Sequence, residues 1–284
     1  MFRQAAMYLR MIKFSHSIFA LPFAFTSALM AAEGLPGAWQ IFWITLAMVS
    51  ARSGAMGLNR VIDRRIDALN PRTREREVPS GKISVRAAMV FSVASLAIMV
   101  LSAWMLNPLC FRLSPVAIAA LAVYSYSKRF TWGAHFVLGI AISAAPLGAW
   151  MAVRGTFDLP VLTLAAAVVL WLAGFDILYA LQDTNFDRKE GLKSIPARFG
   201  IKTSIRLARV LHAASWVCLM LAGAVFSMGP AYWAGMALVA GLFVYEHSLV
   251  RHDDLSRLNM AFFNMNGYIS MSVFVFTMMD YLVF

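Results

Sequence analysis

The chain has 284 residues, 61% of them hydrophobic and only 14% charged, with a formal net charge of +11. That is too apolar for a soluble domain of ordinary composition, so an all-α integral membrane protein is expected. The positive charge falls beside apolar runs, which reads as a topology bias and not as a nucleic-acid surface.

The stretch MYLRMIKFSHSIFALPFAF, Met7–Phe25, is amphipathic and then apolar, and suits a segment lying along the membrane surface before the first helix enters. Arg3, Arg10 and Lys13 then precede an uncharged run, Ser15–Ala32. The start resembles a signal peptide, but the run is long enough to span and no small-residue cleavage site follows it. Ala87–Leu106, Thr131–Val153 and Asn259–Met279 are also free of Asp, Glu, Lys and Arg. About 20 such residues cross the hydrocarbon core as a helix. Val210–Tyr245 is too long for one span and breaks at Gly229-Pro230. The result is about nine transmembrane helices in a single bundle: 15–33, 39–61, 87–106, 109–127, 132–153, 159–182, 206–228, 230–250 and 261–283. One domain, 1–284, is expected. A β-barrel is excluded by unbroken apolar runs where alternation would be needed.

With the N-terminus cytoplasmic, 22 of the 25 Lys and Arg lie on the inner side or at adjoining helix ends. Arg112 and Arg154 fall outside, and Arg52 lies within the second helix. The long polar loops, 59–86 and 183–205, are then both cytoplasmic. Cys110 and Cys218 match no metal or redox spacing and read as packing residues.

The second helix ends in NRVIDRRID, which sets Asn59, Asp63 and Asp67 at i, i+4 and i+8. In a helix these share one face. The sixth ends in DTNFD, with Asp183 and Asp187 each 120 residues after Asp63 and Asp67. One acid pair interleaved with arginines would read as a solvated helix face. Two at matched offsets on one membrane side need more, and the offset implies two parallel four-helix repeats. Asp176 lies seven residues before Asp183, on the same face and deeper, where an acid is costly and functional. Arg52 mirrors it before Asn59, either facing a ligand or serving as a structural ion-pair partner of Asp176.

Mg²⁺ prefers hard oxygens and binds through one or two carboxylates plus substrate phosphates. Asp63, Asp67, Asp183 and Asp187 are therefore read as holding Mg²⁺ and a diphosphate. Arg64, Arg72, Lys128, Arg129, Lys189 and Arg198 are candidates to balance the remaining charge, Lys128 foremost because it follows Tyr124 and Tyr126 at a helix end. His16, His135, His212, His247 and His252 are scattered and form no ligand set. A transporter would also suit a parallel repeat, but its polar residues belong at the midplane. A purely structural protein would use the acids only to pair arginines.

Taken together these motifs resemble the UbiA superfamily of membrane prenyltransferases. NxxxDxxxD matches Asn59, Asp63 and Asp67, with NPRT at Asn70–Thr73. YALQDTNFDRKEGLKS, Tyr179–Ser194, matches the second motif, and YSYSKR, Tyr124–Arg129, a third element. The opening KFSHSIFALPFA, Lys13–Ala24, is similar to the quinone-pathway branch. The resemblance implies Mg²⁺-dependent transfer from a polyprenyl diphosphate to an aromatic acid, in the inner membrane with the site facing the cytoplasm. It implies Asp63, Asp67, Asp183, Asp187 and Lys128 as catalytic, the four acids as metal ligands. Arg52, Asn59, Arg64, Arg72, Tyr124, Asp176, Tyr179 and Lys189 are then substrate-binding. The acceptor is either 4-hydroxybenzoate or a dihydroxy-naphthoate of the futalosine route to menaquinone.

Overall fold

The computed structural model describes residues 2–12, 20–255, 257–260 and 264–283, excluding the side chains of residues 2–5 and of Asn259. His16, the Lys13–Phe19 part of the opening motif and the first residues of the expected first and ninth helices lie outside the described residues.

The described residues form helices and no strand. In chain order they are α1 (Phe2–Met11), α2 (Leu21–Ala32), α3 (Ala38–Leu69), α4 (Val85–Leu106), α5 (Pro108–Ser127) and α6 (Ala134–Arg154). Then follow α7 (Val161–Ala180), α8 (Thr184–Lys189), α9 (Ile195–Val225), α10 (Pro230–Leu249), α11 (Leu258–Met260) and α12 (Asn266–Val283). Six helical segments are long and apolar enough to cross a membrane: α3, α4, α5, α6, Val161–Lys189 and α9.

The starts follow local chemistry. Ser84 caps α4 by accepting the Ala87 N–H at 3.1 Å. Asn107 caps α5 through the Cys110 N–H at 2.9 Å, with Pro108 in the first turn where its missing N–H costs nothing. Two bounds differ from expectation. α3 runs past residue 61 to Leu69, so Asn59, Asp63 and Asp67 sit on one uninterrupted helix. α9 begins at Ile195 and not near 206, because Ser194 caps it and Pro196 occupies its first turn. Gly200 interrupts it at φ 82°, a conformation that favours glycine.

The most extensive helix contacts join α3 to α4 and α7 to α9, equivalent pairs of the expected repeat. Glycine makes both possible. A Cβ on Gly54 would lie 2.7 Å from the Leu96 side chain, and one on Gly174 would lie 2.5 Å from His212. Gly54 and Gly174 are themselves 120 residues apart. Between helices in lipid, such close backbone approach supplies the packing that a hydrophobic drive cannot. The core below is built around Trp171, Leu164, Tyr232, Met236 and Ile269, all buried. Asp280 of α12 accepts the Gly229 and Tyr232 N–H groups, which ties a carboxylate to the start of α10. These contacts leave α3, α5, α6 and α7 splayed around a cavity.

Candidate active site

The cavity has a volume of about 700 Å³. One end is polar, with the acids of α3 and of the α7–α8 region. The other is apolar, reaching Ile44 on α3, Leu147 on α6 and Phe157 beyond it. From Ile44 to Asp67 the helix rises about 35 Å.

Asp63 is 3% exposed. It accepts from Asn59 Nδ2 at 3.1 Å and from Arg129 Nη2 at 2.9 Å, and Lys128 Nζ lies 2.7 Å from its Oδ2. Asp67, one turn further, is held by Arg76, whose Nη1 is 2.9 Å from both carboxylate oxygens. Arg60 approaches the same carboxylate at 4.0 Å and donates from Nε to the Met11 carbonyl.

On the opposite side, α7 tightens into a 3-10 turn, Leu181–Asp183, before α8. Asp183 receives Arg72 through Nε at 3.0 Å and through Nη2, and Asn70 Nδ2 at 2.9 Å. Arg72 also donates to the Tyr179 hydroxyl at 2.7 Å. Burial opposes the charge on Arg72, but the hydrogen bonds it donates to Asp183 outweigh it and hold the guanidinium pKa above its ordinary value. Asp187 accepts from Ser194 Oγ at 2.7 Å, and Ser194 also accepts the Ala197 N–H as the α9 cap.

Loop 70–83 therefore reaches both acid pairs, with Arg76 on Asp67 and Arg72 on Asp183. The α5–α6 turn supplies the cations on Asp63. Its position is set by the α8–α9 connection: the Lys193 N–H donates to the Lys128 carbonyl at 2.8 Å, and Lys193 Nζ to the Phe130 carbonyl at 3.1 Å.

Asp63, Asp67, Asp183, Asp187, Lys128, Arg52, Asn59, Arg72, Tyr124, Asp176 and Tyr179 all line the cavity. Arg64, Lys189 and Arg198 do not. Arg64 donates back to the Val61 carbonyl of its own helix, Lys189 is exposed, and Arg198 stacks on Trp132 at 4.6 Å. A helix-end cation next to a motif need not share the motif's face. Arg52 and Asp176 form no ion pair: Asp176 accepts from His135 Nδ1 at 2.7 Å, and Arg52 Nε is buried without a hydrogen-bond partner.

Sequence reasoning missed Arg76 and His135 as site residues, and named Asn70 and Ser194 only as ends of motif stretches. Arg76 lies in a run of loop arginines indistinguishable from a topology signal. His135 meets Asp176 from a neighbouring helix, 41 residues away, where no spacing rule applies. Arg129 reaches Asp63 alongside Lys128, because α5 ends at Ser127 and residues 128–130 turn.

Among the described residues no group of three or more His, Cys, Asp and Glu converges as a metal cluster. The donor set nonetheless fits a hard cation: four carboxylates face one cavity mouth, and Mg²⁺ needs only one or two of them when substrate phosphates complete its shell.

A family model described as the UbiA prenyltransferase family matches residues 20–268. The chain is 33% identical over 252 residues to a 4-hydroxybenzoate octaprenyltransferase of Pseudomonas fluorescens, covering 89% of this chain and 84% of that one. It is 32% identical over 245 residues to one of Vibrio cholerae, covering 86% of each. The apo structure of a UbiA homolog from Aeropyrum pernix K1 superposes with a TM-score of 0.85 at 32% identity, covering 93% of this chain and 98% of the other. A UbiA homolog from Archaeoglobus fulgidus bound to DMAPP and Mg²⁺ shares the fold, with a TM-score of 0.74 at 20% identity over 98% and 99% of the two chains. With a match over most of its length, and motif acids converging on one cavity, this chain belongs to the UbiA prenyltransferase family.

Proposed function

We propose that the protein transfers a polyprenyl group from its diphosphate to 4-hydroxybenzoate in quinone biosynthesis. The observation that carries this reading is the cavity itself, with four acids and several cations at one end and an apolar lining along the rest. A prenyl diphosphate has the same division. Relatives at about one-third identity are named 4-hydroxybenzoate octaprenyltransferases, which favours the benzoate over the naphthoate.

Asp63, Asp67, Asp183 and Asp187 would hold the metal, and the Archaeoglobus homolog was solved with Mg²⁺ and an allylic diphosphate. Magnesium, when bound, offsets the negative charge that grows on the leaving diphosphate. Lys128, Arg72 and Arg76 now sit on the carboxylates. As the diphosphate enters, they are within reach of its oxygens and orient it with the allylic carbon facing the apolar tunnel. The tunnel walls exclude water, which would otherwise capture the carbocation-like carbon. Arg52, whose buried Nε has no hydrogen-bond partner and which lines the cavity, would hold the acceptor carboxylate.

Purified protein supplied with Mg²⁺, a long prenyl diphosphate and either 4-hydroxybenzoate or 1,4-dihydroxy-6-naphthoate tests this. Prenylated hydroxybenzoate, identified by mass, is expected. Prenylation of the naphthoate alone would overturn the acceptor assignment.

The proposal includes topology: one polytopic domain of nine spans in the inner membrane, N-terminus and acid motifs cytoplasmic. The basic bias supports it, and both loop 70–83 and the α8–α9 connection lie at the polar mouth. In a background lacking Cys110 and Cys218, a cysteine replacing the exposed Ser80 should resist an impermeant thiol reagent applied to intact cells and react after lysis. Labelling from outside would reverse the orientation.

A further inference from the structure

Prenyl transfer to an aromatic ring leaves a proton to be removed. We propose that Asp176, held by His135, is the base that takes it. The inference rests on the acceptor reading above.

The acids of the cavity are not equivalent. Asp63, Asp67 and Asp183 are each bonded to Lys or Arg, and Asp187 to the Ser194 hydroxyl. A carboxylate joined to a cation, whether Lys, Arg or the metal the four mouth acids would hold, is a poor proton acceptor, because the cation stabilises its charged form. Asp176 has no such cation. Its one side-chain partner among the described residues is His135, through Oδ2, and Oδ1 remains for a proton.

His135 is 3% exposed, at the start of α6. Its Nε2 accepts the Ile195 N–H at 3.3 Å, at the start of α9. A backbone N–H can only donate, so that contact assigns the ring proton to Nδ1, which donates to Asp176 at 2.7 Å. The imidazole is then neutral, and its orientation is set from both sides. Three helices converge to place one carboxylate.

The position also fits. Asp176 is seven residues before Asp183 on the cavity face, roughly 10 Å deeper along the helix. The diphosphate belongs to the acids at the mouth, the transferred carbon lies beneath it, and the acceptor ring must sit beside that carbon. Asp176 and His135 line this level of the cavity. An acid held within a membrane helix and turned into a cavity is expected to serve function.

The step balances without an oxidant. The allylic C–O bond breaks and its electron pair leaves with diphosphate. A π pair of the ring, at the carbon beside the hydroxyl, forms the new C–C bond. The proton on that carbon passes to Asp176 Oδ1, and the C–H pair restores aromaticity. The proton is released to water when product leaves. Asp176 is catalytic here and His135 a positioning residue.

The test compares 4-hydroxybenzoate with the same acid deuterated at both carbons beside the hydroxyl. In the wild type, proton loss follows a slower bond-breaking step, so the two should react at equal rates. Asp176→Asn keeps the shape and the His135 contact but lowers basicity. It should reduce kcat by about 10²–10⁴, the usual worth of a positioned base, with donor KM little changed and a deuterium rate effect now present. His135→Leu should show the same effect in weaker form. His135→Asn, which keeps an N–H donor near the Nδ1 position, should restore part of the rate. An Asp176→Asn enzyme with near-normal kcat, or with lowered kcat and no deuterium effect, overturns the base and leaves the acceptor reading standing. A wild type that does not prenylate the benzoate overturns the acceptor reading and the base with it.

Discussion

Replacing Asp63 with Ala is expected to abolish most turnover while the protein still accumulates in the membrane. Asp63 is where two elements meet: its own helix through Asn59, and the α5–α6 turn through Lys128 and Arg129. On the proposed reading it would supply a hard oxygen to the metal and fix the place of the cation that meets the leaving group. Losing one preorganised electrostatic group of this kind typically costs about 10²–10³ in rate, and losing both functions should exceed that. The fold should survive, because the side chains of Lys128 and Arg129 are 34% and 31% exposed and can be solvated when their partner is gone. The measurement is turnover per amount of protein in isolated membranes, with Asp187→Ala in parallel. Near-normal activity in either variant would remove the shared metal site from the mechanism. Normal specific activity with reduced abundance would make the acids structural.

Lys128→Gln should lower kcat by about 10²–10³ with a smaller rise in donor KM, because charge on the leaving diphosphate grows in the transition state. Lys128 and Arg129 both reach Asp63, yet their ties differ. Arg129 also donates to the Ser125 and Ile62 carbonyls, which pins it between α5 and α3. Asp63 is the one side-chain partner of Lys128 among the described residues, so Lys128 is free to transfer to an incoming phosphate oxygen. Arg129→Gln should therefore reduce the amount of folded protein more, and kcat less, than Lys128→Gln. Steady-state kinetics with normalised protein separate the two. Full kcat in Lys128→Gln would show that Lys128 only reinforces topology.

That this is an α-helical membrane protein was readable because hydropathy and length are local properties. So were the two acid pairs: i, i+4 spacing and a 120-residue offset need no tertiary knowledge. The offset extends to Gly54 and Gly174, whose role emerged only when α4 and α9 were seen against them. Helix bounds were less legible where a polar segment stays helical outside the apolar run, as in α3 beyond residue 61 and α9 before 206. Capping and the continuing hydrogen-bond ladder decide those ends, and hydropathy does not register them.

Residue type and period therefore determined that this is a helical membrane protein with paired carboxylates at one mouth. Which cation meets which acid was decided only by the tertiary structure. Arg72 crosses to Asp183, 111 residues away, and Arg76 folds back to Asp67, while Arg74 between them pairs weakly with its exposed neighbour Glu75 at 3.8 Å. Asp176 takes His135 and not Arg52. Long basic side chains in a polar loop look alike in sequence, because charge carries no direction. Direction comes from the path of loop 70–83 over the cavity and from the turn that ends α5, and both are set by contacts between helices distant in the chain.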